Sequence, residues 1–212
     1  MTLSAKPYII GIAGGSASGK TSFLRDLKEI IAEEHLTIIS QDNYYFPKEK
    51  QFIDENGEIN FDLPTSIDRE HFHQDLVSLM ANKSVEKKEY TFNNKEAEPK
   101  LIQLKPAPII IMEGLFIFHY EEIRNLLDLR VFLDVREDIK LQRRIKRDAI
   151  ERGYPEETVR YQWDNHVMPS FKAYLRPYRD DANIIITNNF TYDKGLLVLA
   201  NHLKMILSEG VY

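Results

Sequence analysis

An α/β fold, a mostly parallel sheet with helices on both faces, is what the sequence predicts, and it does so on three observations. Short apolar runs alternate with stretches of helical periodicity through the 212 residues. Those runs are apolar on both sides rather than on alternate residues, as strands covered on two faces must be. The first run, Tyr8 to Ala13, passes directly into Gly14-Gly15-Ser16-Ala17-Ser18-Gly19-Lys20-Thr21-Ser22. That stretch fits G-x-x-x-x-G-K-[ST], the P-loop that cradles phosphate.

Composition sets outer limits. Hydrophobic residues at 43% and charged residues at 29% suit a soluble chain with a sizeable core. The length fits one domain over residues 1–212 with a small insert. With no cysteine, disulfides, thiolate zinc sites and thiol catalysis are excluded. A net charge of −5 argues against nucleic acid as a partner. No apolar run is long enough to span a bilayer, and residues 1–7 lack a signal-peptide core, so a cytoplasmic location without membrane contact is expected.

Taken in order, Phe23, Leu27, Ile30 and Ile31 recur at helical spacing after the loop. Inward-turned N–H groups and the helix N-terminus together suit a polyphosphate. Lys20 is expected to reach its β- and γ-phosphates, and the Thr21 hydroxyl to ligate Mg²⁺. Leu36 to Ser40 is the next strand, and Asp42 follows it on the rim where open α/β sheets bind ligands. Asp42 reads either as a base that takes a proton from an attacking hydroxyl or as a turn or cap residue. Phe46 to Arg69 is polar and irregular, with Asn56-Gly57 as a turn, and is expected to lie over a substrate. Phe72, Leu76, Leu79 and Met80 mark a second helix, on which His71 and His73 face different ways and are not a metal pair.

Residues 85–104 read as a small β-insert centred on Tyr90-Thr91-Phe92 and covering the site. Ile109 to Met112 is the most apolar strand, and Glu113-Gly114 at its end is placed to orient Mg²⁺. Val131 to Val135 is a fourth strand. A basic helix follows, on which Lys140, Arg144 and Arg147 share one face and Gly153 marks the end. Its arginines are either a solvated face or a lid that clamps phosphates, within a helical region of about residues 137–180. Pro155 suits the first turn of a long helical segment, and Pro169 is expected to kink or interrupt that segment. Ile184 to Ile186 is the last strand, and Leu196, Leu199, Leu203 and Ile206 define a closing helix.

With these residues in hand, the chain resembles the uridine kinase (uridine–cytidine kinase) family of P-loop kinases over nearly its whole length. The likeness rests on the phosphate loop, Ser40-Gln41-Asp42-Asn43-Tyr44-Tyr45, Asn60-Phe61-Asp62-Leu63-Pro64, Glu113-Gly114, Arg143 to Asp148 and Glu151-Arg152-Gly153. It implies transfer of the γ-phosphoryl of ATP, or GTP in its place, to the 5′-hydroxyl of a ribonucleoside in pyrimidine salvage, with Mg²⁺. By the same resemblance Asp42 is the catalytic base and Glu113 the acid near the metal. Tyr45, Asp62 and Tyr90 lie around the nucleoside, Arg144, Arg147 and Arg152 are lid arginines facing substrate and phosphates, and Gln162 is on the substrate side. A homo-oligomer, often a tetramer, is also implied.

Three positions depart from the family pattern. Lys95 stands where a base-reading histidine is usual, and an ammonium can only donate hydrogen bonds. Tyr154 and Asn188 stand where arginines are usual. Another hydroxyl acceptor (nicotinamide riboside, pantothenate or a sugar phosphate) and a non-catalytic nucleotide-binding module are the alternatives.

Overall fold

The structure is a computed structural model and describes residues 6–91 and 98–210. In chain order the elements are β1 (Tyr8–Ala13), α1 (Lys20–Lys28), β2 (Leu36–Ser40), β3 (Phe52–Ile53), β4 (Ile59–Asn60) and α2 (Arg69–Met80). Then come β5 (Val85–Lys88), β6 (Leu101–Leu104), β7 (Ile109–Gly114), α3 (Glu121–Arg124), β8 (Leu129–Asp134) and α4 (Glu137–Glu151). The chain closes with α5 (Glu156–Gln162), α6 (Met168–Ser170), β9 (Ile184–Thr187) and α7 (Asp193–Glu209).

Five strands form one parallel sheet in the order β2-β7-β1-β8-β9. Successive side chains of a strand point to opposite faces, so the near-continuous Ile/Val/Leu runs supply two cores at once. On one face Phe23 and Leu27 of α1 and Leu199 and Leu203 of α7 pack on Ile10, Ile12, Ile111 and Val131. On the other, Phe72 and Leu76 of α2 together with Trp163 and Phe171 pack on Ile9, Ile110, Met112 and Phe132. The first strand lies between β7 and β8, so its C-terminal end opens at the switch point where the strand order reverses.

Four expectations need correction. The stretch read as irregular contains the antiparallel pair β3–β4, turned at Gly57 with φ +81°. Glu113 does not follow a strand but lies within β7, paired between Ile12 and Ser40. Pro155 sits one residue ahead of α5, as its cap. Pro169 does not interrupt the helical path, which continues to Tyr178 through π-turns at Trp163–Val167 and Phe171–Leu175 on either side of it. Because a π-turn shifts the hydrogen-bond register, the N–H that Pro169 lacks falls at a change of ladder and is not missed. β5 and β6 pair antiparallel as an arm. Phe92 and Lys95 lie outside the described residues. No helix among the described residues is long and apolar enough to cross a membrane.

Candidate active site

The segment from Gly14 to Thr21 joins the end of β1 to the start of α1. Gly19 caps α1 at φ +94° with no side-chain acceptor, and no acid lies in the first turn. Ala17 also takes positive φ, at +61°. This left-handed path turns successive N–H groups inward, and the first-turn amides of α1 remain available to an anion. There is no room for side chains at the bends. A Cβ on Gly14 would lie 2.7 Å from the Leu133 carbonyl oxygen, and one on Gly19 would lie 2.6 Å from Asn188 Nδ2.

Asn188 ties this loop down from behind. It is 5% exposed, and its Nδ2 donates to the Ser18 carbonyl at 2.9 Å. Its own N–H donates to the Asp134 carbonyl at 2.8 Å, and its carbonyl accepts from Arg143 Nη2 at 3.0 Å. Where an arginine was expected, a neutral amide therefore joins β9, β8, α4 and the phosphate loop.

Two acids stand beside the loop. Asp42 is the second residue of a short 3₁₀ turn, Gln41–Tyr44, after β2. The capping role left open for Asp42 belongs to Ser40, whose Oγ accepts the Asp42 N–H at 3.3 Å and donates to Glu113 Oε1. Beneath them Gln41 is fully buried, and its Oε1 accepts from the Phe116 N–H at 2.9 Å. A Cβ on Gly114 would collide with Gln41 Cβ, so the glycine after Glu113 makes space for the turn that carries Asp42.

The electrostatics of this group are mutual. Burial, then the charge of Asp42, raises the Glu113 carboxyl to about 6, against the pull of Lys20 and the Ser40 hydroxyl. Burial raises Asp42 as well, opposed by Lys20, Arg152 and Arg147 and reinforced by Asp62. Burial lowers Lys20, and Glu113 and Asp42 partly restore it. Its Nζ donates to the Gly14 carbonyl at 2.9 Å. Two carboxylates share one lysine in a desolvated space, and the exposed Thr21 hydroxyl adds another oxygen in the first turn of α1. Such an oxygen-only donor set, with excess negative charge, fits a hard divalent cation of the Mg²⁺ type.

Opposite the acids are aromatic and cationic groups. The Tyr45 and Tyr90 rings lie 5.3 Å apart at 35°, and Phe61 meets Tyr45 edge-on at 6.0 Å. Burial, then the charges of Asp42 and Asp62, raises the Tyr45 hydroxyl; burial pushes Tyr90 up to about 12. Asn43 Oδ1 accepts the Tyr90 N–H at 3.1 Å, which holds the arm of β5 and β6 against the Asp42 turn. Asp62 is buried, and its N–H donates to Asn60 Oδ1 at 2.8 Å. Gly15, Ser16, Asp62 and Phe171 line one small cleft.

The basic face of α4 points inward. Lys140 is 2% exposed, with Nζ 3.9 Å above the Phe171 ring. Arg144 Nη1 donates to Ser16 Oγ at 2.9 Å and Nη2 to Gln162 Oε1 at 3.2 Å, so it links the phosphate loop to α5. Arg144, Arg147 and Arg152 surround Asp148 at 3.2, 2.8 and 3.5 Å, and Asp148 has no exposure.

The structure thus brings Lys20, Asp42, Glu113, Asp62, Tyr45, Tyr90, Arg144, Arg147, Arg152 and Gln162 to one end of the sheet. Sequence reasoning gave no structural role to Ser40, Asn43 or Asp148, which it quoted only within motifs, nor any to the hydrogen bonds of Asn188. Only Asp148 carried a signal, its i,i+4 spacing from Arg144.

Three comparisons with known proteins bear on this site. The model of the Phosphoribulokinase / Uridine kinase family matches residues 9–193. The chain is 37% identical over 205 residues to the uridine kinase of Borrelia duttonii (strain Ly), covering 95% of this chain and 97% of that protein. It is 34% identical over 206 residues to the uridine kinase of Lactobacillus johnsonii, covering 97% and 98%. Among solved structures, one described as a possible uridine kinase from Bacillus stearothermophilus superposes with a TM-score of 0.61 at 17% identity, over 86% of this chain and 89% of that one. The D-glycerate 3-kinase of Cryptococcus neoformans gives 0.59 at 16% identity, over 86% of each chain. These two share the fold.

Proposed function

Because this chain belongs to the phosphoribulokinase / uridine kinase family, we propose that it transfers the γ-phosphoryl of ATP to the 5′-hydroxyl of a nucleoside, with uridine or cytidine as acceptor. The observation that carries the reading is the convergence of Lys20, Asp42 and Glu113, each within the others' electrostatic reach, beside the phosphate loop. Residues 1–212 act as one kinase domain, with the arm at 85–104 over the acceptor and the helical region at 137–180 as the lid. Salvage of pyrimidine nucleosides in the cytoplasm is the setting.

Phosphoryl transfer needs little covalent chemistry from the protein; alignment and charge stabilisation carry it. The loop amides and Lys20 hold the donor phosphates. Asp62 accepts hydrogen bonds from the ribose hydroxyls, and Tyr45 and Tyr90 pack on the base. Asp42 takes the proton of the 5′-hydroxyl as its oxygen attacks. Burial makes its carboxylate a stronger base than an exposed aspartate, and Lys20, Arg152 and Arg147 oppose that rise. Arg147 and Arg152 offset charge that spreads over the transferred group. Thr21 and Glu113 would hold Mg²⁺, which would supply positive charge against the donor phosphates.

ADP release with ATP and Mg²⁺ over uridine, cytidine, purine nucleosides, nicotinamide riboside, pantothenate and sugar phosphates tests the reading. Strong turnover of uridine or cytidine is the expected result. Turnover confined to a non-nucleoside acceptor, or none above background, overturns it.

A further inference from the structure

A cluster that the phosphoryl transfer does not use joins the β3–β4 hairpin to α5. Asp54 sits in the hairpin turn, where its Oδ1 accepts the N–H groups of Asn56 and Glu58, both at 2.9 Å. Its Oδ2 faces the other way and accepts from the Tyr161 hydroxyl at 2.6 Å and from His166 Nε2 at 2.7 Å. Asn56 Nδ2 donates to the same Tyr161 oxygen at 2.7 Å. The carboxylate thus accepts four hydrogen bonds, about its full capacity. His166 is only 3% exposed, so this is no loose surface pair.

The helix is shaped for this contact. Tyr161 and His166 are five residues apart, and at 3.6 residues per turn they would point about 140° away from each other. The π-turn at Trp163–Val167 winds more slowly, and the two rings come to 5.8 Å, edge to face, both against Asp54.

What the cluster connects gives it a purpose. From Asp54 the chain runs through β4 to Asn60, whose side chain holds the Asp62 N–H. From Tyr161 the next residue is Gln162, which bonds to Arg144. We propose that Asp54 is a positioning residue for the acceptor site, setting Asp62 and Gln162 relative to each other through Tyr161 and His166. The inference rests on the kinase reading of the site and adds to it a device on the acceptor side alone.

Asp54→Asn separates the two halves of the cluster. Its amide oxygen can still accept from the turn, while its NH₂ cannot accept from Tyr161 or His166. ADP release is measured against ATP and against the best nucleoside for wild type, Asp54→Asn, Tyr161→Phe, their double variant and His166→Gln, which keeps a donor. The nucleoside KM is expected to rise about tenfold in Asp54→Asn and less in Tyr161→Phe, and the double variant to match Asp54→Asn. ATP KM and kcat should stay within about twofold, and His166→Gln should behave as wild type. An unchanged nucleoside KM, or equal rises in both KM values, overturns the proposal. Should Asp54→Asn not fold, Tyr161→Phe carries the same test.

Hydrogen–deuterium exchange over residues 159–167 in the unliganded protein reads the latch without turnover. Exchange several-fold faster in Asp54→Asn than in wild type supports it, and equal exchange overturns it. If wild type phosphorylates no nucleoside, the kinase reading fails, while the exchange result still decides whether the latch exists.

Discussion

Ser18 and Asn188, 170 residues apart in the chain, are joined by a 2.9 Å hydrogen bond from the asparagine amide to the serine carbonyl. The bond satisfies that carbonyl, and the side chain fills the space beside Gly19. Asn188→Ala leaves the carbonyl without its partner and opens a gap. The expected outcome is a three- to tenfold (roughly) weaker affinity for ATP with an unchanged nucleoside KM. Asn188→Asp, which sets a carboxylate against a carbonyl oxygen and near the donor phosphates, should be worse. Titration calorimetry with a non-hydrolysable ATP analogue measures both, and affinity equal to wild type in both would remove Asn188 from the donor site.

Asp42→Asn keeps the side chain's size and removes the carboxylate proposed as the base. Turnover should fall on the order of 10²- to 10⁴-fold, with ATP affinity within about twofold of wild type. Rapid-quench measurement of product decides it: near-normal turnover would move the base elsewhere.

Asp148 is buried among three arginines, and removing its charge strands them. Asp148→Asn should cost about 3 kcal/mol of stability, read as a shift of the urea midpoint. A shift under ~1 kcal/mol would mean that the arginines find solvent or other partners.

Tyr161, then His166 and the turn amides, hold the Asp54 carboxyl well below its usual value of 3.8. A depressed folded-state value stabilises the fold above the unfolded value, and the gain is lost as pH falls below it. Wild type should therefore unfold at a higher temperature than Asp54→Asn at pH 6, with the gap closing as pH drops below about 3.8. Calorimetry at stepped pH checks this, and a gap independent of pH contradicts it.

How much of the molecule is legible in its sequence depends on whether a residue's role is local. β1 and β7 were legible because burial on both faces leaves an unbroken apolar run, and β2, β8 and the edge strand β9 because their runs are apolar enough to stand out. Asp42 and Glu113 were legible because they lie at or just past strand ends, and Lys20 because it closes the loop that leaves β1, so that all three fall on one rim. The β3–β4 hairpin was not, since Phe52 and Ile53 are 58% and 59% exposed and show no burial alternation. Nor was the π-turn at Trp163–Val167: helical periodicity does not reveal a register shift whose reward, the contact with Asp54, lies over 100 residues away. Asp148 resembled its acidic neighbours on α4 because the packing that buries it comes from elsewhere in the fold. Asn188 was visible only as a departure from a pattern, not as the tether it is.

The position of β1 in the sheet has a consequence for biosynthesis. β1 is the central strand, and the neighbours that flank it begin far downstream, at Ile109 and Leu129. On the ribosome the phosphate loop emerges early but has no walls until β7 and β8 follow, and no tether until Asn188 does. Pairing of β1 therefore waits on chain far downstream of it, and the nucleotide site takes shape only once β7, β8 and Asn188 have followed.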